Sequence, residues 1–228
     1  PHLPRLQEEL FKMEDFAKKY FDLLVGEYKG INLTRIIDFE DFYNKQILDS
    51  IQPLEQSPAF KDSIEKAGLL IDIGFGGGFP ILPLAYCLPH IQFLGIETRN
   101  KKVTVVGELA AKLGLSNVKL FHERIENVFI DREAVCSLKA VGKVDDFLSR
   151  IHCPHRTRVY FYKGPNFHEL EKKSLEAISG TWEKVEETEI LIPGTDKRYL
   201  VGFEPENVPC GTKKGKQLVA VSDILARA

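Results

Sequence analysis

The sequence predicts an open α/β fold: a mostly parallel, doubly wound, seven-stranded sheet behind an N-terminal helical cap. Three observations predict it. From residue 69 onward short apolar runs alternate with helical periods, the pattern of right-handed strand–helix–strand crossovers. A glycine-rich bend, Gly74, Gly76 and Gly78, follows the first of those runs, at the strand end where an open parallel sheet meets its ligand. Ahead of both, two stretches carry apolar residues at three- and four-residue steps, the spacing of a helix that buries one face.

Along residues 5 to 25, Leu6, Leu10, Met13, Ala17, Tyr20 and Leu24 form one stripe, with Lys12, Glu14, Lys18 and Lys19 between them and Gly26 and Gly30 at the exit. Over 40 to 51, Tyr43, Ile47, Leu48 and Ile51 share a face, which predicts a second helix that Pro53 helps to stop. Residues 69 to 73, 91 to 96, 118 to 121, 134 to 138 and 158 to 162 read as strands. Between the second and third of them Val103, Val106, Ala110 and Leu113 mark a helical face closed by Gly114, a residue free to take a left-handed cap. Residues 181 to 190 and 198 to 204 are expected to close the sheet as an antiparallel pair. The chain, 1–228, reads as a single domain with a cap over 1–66, a core over 67–206 and an extension over 207–228, and its 43% apolar content suffices for one large core.

Composition narrows the class. The most apolar stretch, 79 to 88, holds Pro80 and Pro83 and ends at Pro89, well short of the ~20 apolar residues a bilayer span needs. The opening residues lack the basic end and apolar block of a secretory signal, so a soluble cytoplasmic protein is expected. Cys87, Cys136, Cys153 and Cys210 are widely spaced, which suits reduced thiols. A net charge of −2 argues against a basic coat for sequence-independent nucleic-acid binding. It leaves room for local patches: Arg150, His152, His155, Arg156 and Arg158, and Lys213, Lys214 and Lys216. His152, Cys153 and His155 have no second ligand group at matching spacing, so a basic turn is expected there and no metal.

The segment LLIDIGFGGGFPILPL, residues 69 to 84, carries the strongest signal. Asp72 lies inside a buried strand, and the missing side chains at Gly74, Gly76 and Gly78 let the backbone turn and approach a ligand. Glu97 closes the second strand at the ~20-residue offset where nucleotide folds hold ribose hydroxyls. A plain glycine turn and a helix-capping Glu97 are the alternatives. A nicotinamide site would want its third glycine at Phe79. The string Asp-x-Gly-x-Gly-x-Gly resembles instead the first motif of Rossmann-like class I methyltransferases. That resemblance implies S-adenosyl-L-methionine as cofactor. Gly74, Gly76, Gly78 and Phe79 would lie under its methionyl part, Asp72 would place its amino group and Glu97 would hold its ribose. Arg124, Ile125 and Glu126, after the third strand, would lie at the adenine, with an exposed helix start as the alternative for Arg124 and Glu126.

Longer strings narrow the family. NLTRI at 32 to 36, ILDSI at 47 to 51, GFGGGFPILPL at 74 to 84, ETRNKK at 97 to 102, YKGP at 162 to 165 and RYLVGF at 198 to 203 together resemble the glucose-inhibited division protein B family, the bacterial 16S rRNA guanine-N7 methyltransferases. Four positions depart from its pattern: Lys139 stands for an arginine, Gln46 for a histidine, and Ile81 and Glu123 for glycines. Lysine keeps charge and loses the planar fork.

The resemblance implies methyl transfer to guanine N7, with 16S rRNA or the small ribosomal subunit as partner, no membrane association, and action as a monomer. N7 carries no proton at neutral pH, so positioning replaces a general base. Consistently, no Asn-Pro-Pro-aromatic string occurs, and Cys210, although it follows Pro209, lies far from where a cytosine-attacking thiol belongs. Lys139, Lys163 and Arg198 are the catalytic candidates, as a donor to guanine O6 and as phosphate anchors; solvated strand-end cations are the alternative. Asn32 and Asp49 lie in the family-like N-terminal strings and are further candidates, with capping or turn formation as the alternative and, for Asp49, the favoured one. Phe161, Tyr162 and Phe167 offer rings for stacking a base, with burial as the competing role. Three rival functions stay open: methylation of another RNA or a small molecule, a noncatalytic RNA or assembly factor, and a nicotinamide-dependent oxidoreductase.

Overall fold

A computed structural model describes residues 3–153, 157–206 and 218–227. His155, Arg156, Cys210, Lys213, Lys214 and Lys216, and the side chains of Leu6 and Leu10, lie outside the described residues. Helix α1 (Leu3–Val25) buries Met13, Ala17, Tyr20 and Leu24 on the expected stripe. The second helical region is more broken than its periodicity suggests. Helix α2 (Phe39–Phe42), capped by the Asp38 carboxylate accepting from the Asp41 N–H, runs into a π-helical turn at Tyr43–Leu48 and then α3 (Asp49–Ile51). Pro53 does not stop this region. It opens α4 (Pro53–Gln56), because a proline in a first turn sacrifices no hydrogen bond. Pro58 repeats the device in α5 (Pro58–Ala67), where Ser57 caps the Phe60 N–H and Gly68 closes the helix in the left-handed region.

The core follows as β1 (Leu69–Ile73), α6 (Ile81–Cys87), β2 (Gln92–Glu97), α7 (Asn100–Lys112), β3 (Val118–His122), the short β4 (Val128–Phe129), β5 (Val135–Lys139), α8 (Val144–Leu148) and β6 (Arg158–Lys163). Helices α9 (Phe167–Leu170) and α10 (Lys172–Ile178) lead to β7 (Trp182–Ile190) and β8 (Arg198–Pro205). The seven-stranded sheet has the order β3-β2-β1-β5-β6-β8-β7. The first five strands in that order are parallel, β8 is antiparallel to β6, and β7 is antiparallel to β8. Strand order therefore reverses between β1 and β5, and the crevice above their C-terminal ends is where such sheets take ligands. Glu97, Lys139 and Lys163 are the last residues of β2, β5 and β6, all at that edge.

Every residue of β1 is buried, as helices on both faces of a parallel sheet require. One core cluster joins the cap, α6 and α7 to the sheet; the other joins α8, α10 and the C-terminal tail to the opposite face. The described part of the expected extension packs on the core. Strand β9 (Val219–Ala220) pairs in parallel with β4, and α11 (Val221–Ala226) buries Val221 and Ile224 in the second cluster, so residues 218–227 belong to the packed body. Among the described residues no helix is long and apolar enough to cross a membrane.

Candidate active site

The chain leaves β1 through three glycines in the left-handed region, Gly74 (φ 75°), Gly76 (φ 55°) and Gly78 (φ 98°), a conformation that L side chains enter only with strain. The bend is also tightly backed. A Cβ on Gly77 would stand 2.5 Å from the Leu33 carbonyl oxygen, and one on Gly78 would collide with the Tyr20 hydroxyl. The NLTRI segment therefore forms an outer wall of the loop, and Asn32 serves as the left-handed residue (φ 53°) that ends the turn Lys29–Ile31 before it.

Asp72 is fully buried one residue before the end of β1. Its Oδ1 accepts a 2.9 Å hydrogen bond from the Ser137 hydroxyl on β5, while Oδ2 has no hydrogen-bond partner among the described residues. Burial pushes its pKa from 3.8 up to about 7, against the pull of Ser137, the Ile81 amide and the Lys139 charge. A buried carboxylate oxygen left without a donor suits a ligand that brings a cation or an N–H.

Glu97 lies on the same side as the bend. Its Oε2 accepts from the Gly76 N–H at 3.2 Å, and its Oε1 from the Arg99 N–H at 3.1 Å and the Thr98 hydroxyl at 3.2 Å. The capping alternative is thus part of the truth, since Arg99 is the residue before α7. Three donors leave roughly one of a carboxylate's four acceptor positions open. Beyond β3, Arg124 precedes a short 3-10 turn, Ile125–Asn127, in which Ile125 is buried. The Arg124 side chain is open and pairs with Glu126 at 3.6 Å, while its N–H is taken by Glu123 Oε1 at 2.9 Å. The expected adenine segment is therefore a surface turn pinned by its own acids, with Ile125 as its inward anchor.

The three candidate cations separate into two groups. Lys139 Nζ lies 2.9 Å from Asp49 Oδ2 and 3.0 Å from Gln46 Oε1, and Arg198 Nε lies 3.5 Å from Asp49 Oδ1. Asp49, for which a turn or cap was the favoured alternative, is the buried carboxylate that two cations share. Lys139 also sits 5.9 Å from the centre of the Phe79 ring, which puts the cluster beside the glycine loop. Lys163 is committed elsewhere. Its Nζ contacts Glu171 Oε1 at 2.6 Å and the Gly142 carbonyl at 2.9 Å, and Glu171 Oε2 accepts from the Val144 N–H.

Other expectations resolve toward packing. Phe161 and Phe167 are buried, and the Tyr162 hydroxyl bonds the Ser50 carbonyl, so these rings hold the core and the cap. Cys153 is buried, and His152 bridges to Phe129. Sequence reasoning missed Ser137, whose hydroxyl orients Asp72, and the partnership of Gln46 and Asp49 with Lys139. No local signal marks these, because each partner lies more than 60 residues away along the chain.

The family model described as GidB, rRNA small subunit methyltransferase G, matches residues 13–198. A ribosomal RNA small subunit methyltransferase G of Lactobacillus helveticus is 33% identical over 202 residues, covering 83% of this chain and 82% of the relative. One from Streptococcus pneumoniae is 31% identical over 212 residues, covering 87% of each. The solved structure of MtNAS in complex with MTA and tNA shares the fold, with a TM-score of 0.54 at 16% identity over 85% of this chain and 70% of that one. The glycine cradle, the orphaned Asp72 oxygen and the Glu97 carboxylate fit a nucleoside that carries an amino acid, and the chain belongs to the rRNA small subunit methyltransferase G family, with S-adenosylmethionine as its cofactor.

Proposed function

We propose that this chain methylates N7 of a guanine in small-subunit rRNA, acting as a cytoplasmic monomer. The observation that carries the reading is the joining of the Gly76 amide to Glu97 beside a buried, half-satisfied Asp72, in a chain whose family model spans the whole site. When bound, S-adenosylmethionine supplies a methyl group on a cationic sulfur, and its transfer to N7 moves that positive charge onto the base.

Since N7 holds no proton to remove, the protein's residues bind, align and exclude water. Asp72 receives the donor's amino group, Glu97 its ribose, and the loop from Gly74 to Phe79 underlies its methionyl part, with Ile125 and the Arg124–Glu126 turn flanking the adenine. Lys139 and Arg198, sharing Asp49, present a cluster of net charge +1, two cations less one carboxylate. Two uncompensated cations would oppose the charge arriving on the base, and Asp49 cancels one of them. Arg198, the more open of the pair at 25% side-chain exposure against 9% for Lys139, contacts O6 or a flanking phosphate. Lys163 holds the segment after β5 in place.

The test is transfer of labelled methyl from S-adenosylmethionine to small subunits or 16S rRNA that lack the modification, followed by mass-spectrometric mapping. A single 7-methylguanine is expected. Label on another base or on a small molecule would refute the acceptor, and cofactor binding without transfer would favour the assembly-factor reading.

A further inference from the structure

The N-terminal cap reaches the cofactor loop through a buried hydroxyl, that of Tyr20. Tyr20, inside α1 and fully buried, donates a 2.6 Å hydrogen bond to the Gly77 carbonyl, 57 residues away. Its ring stacks on Phe79, with centroids 5.0 Å apart and planes at 16°, and Phe42 meets both rings edge-on at 5.8 Å. The Gly78 N–H, on the far side of the same peptide unit, donates to the Phe75 carbonyl at 2.8 Å. The Gly77–Gly78 peptide is thus held at both its polar atoms, one from within the loop and one from the cap.

This matters because the loop has little conformational preference of its own. With Gly74, Gly76, Gly77 and Gly78 in five residues, it loses more backbone freedom on ordering than any other stretch of this length. A ligand that finds the loop unset must offset that loss from its own binding energy, whereas a pre-set loop spares it. We propose that Tyr20 is a positioning residue for methyl-donor binding, its hydroxyl and ring setting the Gly77–Phe79 backbone from the cap so that cap and cofactor site form one unit. The proposal rests on S-adenosylmethionine as cofactor and not on the identity of the acceptor, because cofactor affinity is read without acceptor present.

Tyr20→Phe removes one oxygen and keeps the stacked ring. Losing a buried hydrogen bond is expected to raise both the Kd and the KM for S-adenosylmethionine about 5- to 20-fold, while kcat at saturating cofactor and the KM for the rRNA substrate stay within about twofold of wild type. Phe60→Leu, a core change where Phe60 packs on Tyr160 and Tyr162 of β6, serves as the stability control and is expected to lower Tm without moving the cofactor KM. A wild-type Kd in Tyr20→Phe, or an equal rise in KM in Phe60→Leu, overturns the proposal. Should Tyr20→Phe fold poorly, hydrogen exchange on the wild-type protein carries the same test. Coupling is reciprocal, so S-adenosylmethionine must raise protection of the α1 amides around Tyr20, and unchanged exchange there refutes the clamp.

Discussion

At the scale of single residues, Asp72 trades stability for binding. Its carboxyl moves from 3.8 to about 7 on folding because burial penalises the charge. Between those values the folded chain holds the proton more tightly than the unfolded one. The stability this proton provides is complete below about pH 3.8 and is lost as pH rises toward 7, by up to ~1.4 kcal/mol per pH unit. If the donor's ammonium takes the open oxygen as proposed, S-adenosylmethionine reverses the preference and favours the carboxylate. Its affinity should therefore weaken as pH falls below about 7, approaching tenfold per unit in titration calorimetry. Asp72→Asn removes both slopes. The variant is expected to melt at or above the wild-type temperature at pH 8 without cofactor, and to bind S-adenosylmethionine at least ~100-fold more weakly, the order of a buried charged hydrogen bond. Wild-type affinity in that variant would show that the amino group sits elsewhere. Gln46 and Lys139 give a second residue-scale prediction. Each departs singly from the family pattern, yet they touch at 3.0 Å. If the two changes form one repacked contact, Lys139→Arg alone should lower activity and stability while Lys139→Arg with Gln46→His recovers them. A coupling of ~0.5–3 kcal/mol is expected from the double-mutant cycle; strict additivity would deny that the positions compensate.

At the scale of elements, the strand ends explain what could be read from the chain and what could not. Period and turn chemistry are local, so the five parallel strands, the glycine bend after Asp72 and the acid at Glu97 all emerge from neighbouring residues. The region from 39 to 56 reads less well, because the apolar face of one helix and that of several short turns share the same spacing, and only packing against the sheet chooses between them. The role of Lys163 is hard to read for a related reason. Its place at the end of β6 was legible, but whether a strand-end cation faces a ligand or an acid depends on Glu171, which arrives with α10. The Lys163–Glu171 pair is largely shielded, with side-chain exposures of 11% and 7%. Removing one partner of a shielded pair strands the other. Lys163→Met is therefore expected to cost ~3–5 kcal/mol in urea denaturation, and Lys163→Met with Glu171→Gln to regain most of it. A Lys163→Met protein of wild-type stability but much reduced kcat would return Lys163 to the base.

At the scale of the whole molecule, charge separates the two binding events. The chain carries a net −2, and the crevice cluster of Lys139, Arg198 and Asp49 offers only one uncompensated positive charge. An rRNA held mainly by shape and a few phosphate contacts releases few counterions. With two or three phosphates neutralised, the plot of log affinity against log salt should have a slope near −2, so that a rise from 50 to 200 mM weakens rRNA binding roughly 15-fold. In the proposed mode S-adenosylmethionine would meet a buried carboxylate and backbone amides, which salt screens poorly, so its affinity over the same range should stay nearly constant. Fluorescence titrations of both ligands across the salt series measure the two slopes side by side. A slope steeper than about −5 for rRNA would shift recognition away from the crevice and onto the basic run of Lys213, Lys214 and Lys216. A salt-sensitive cofactor would mean that exposed cations, rather than Asp72, hold the charged end of the methyl donor.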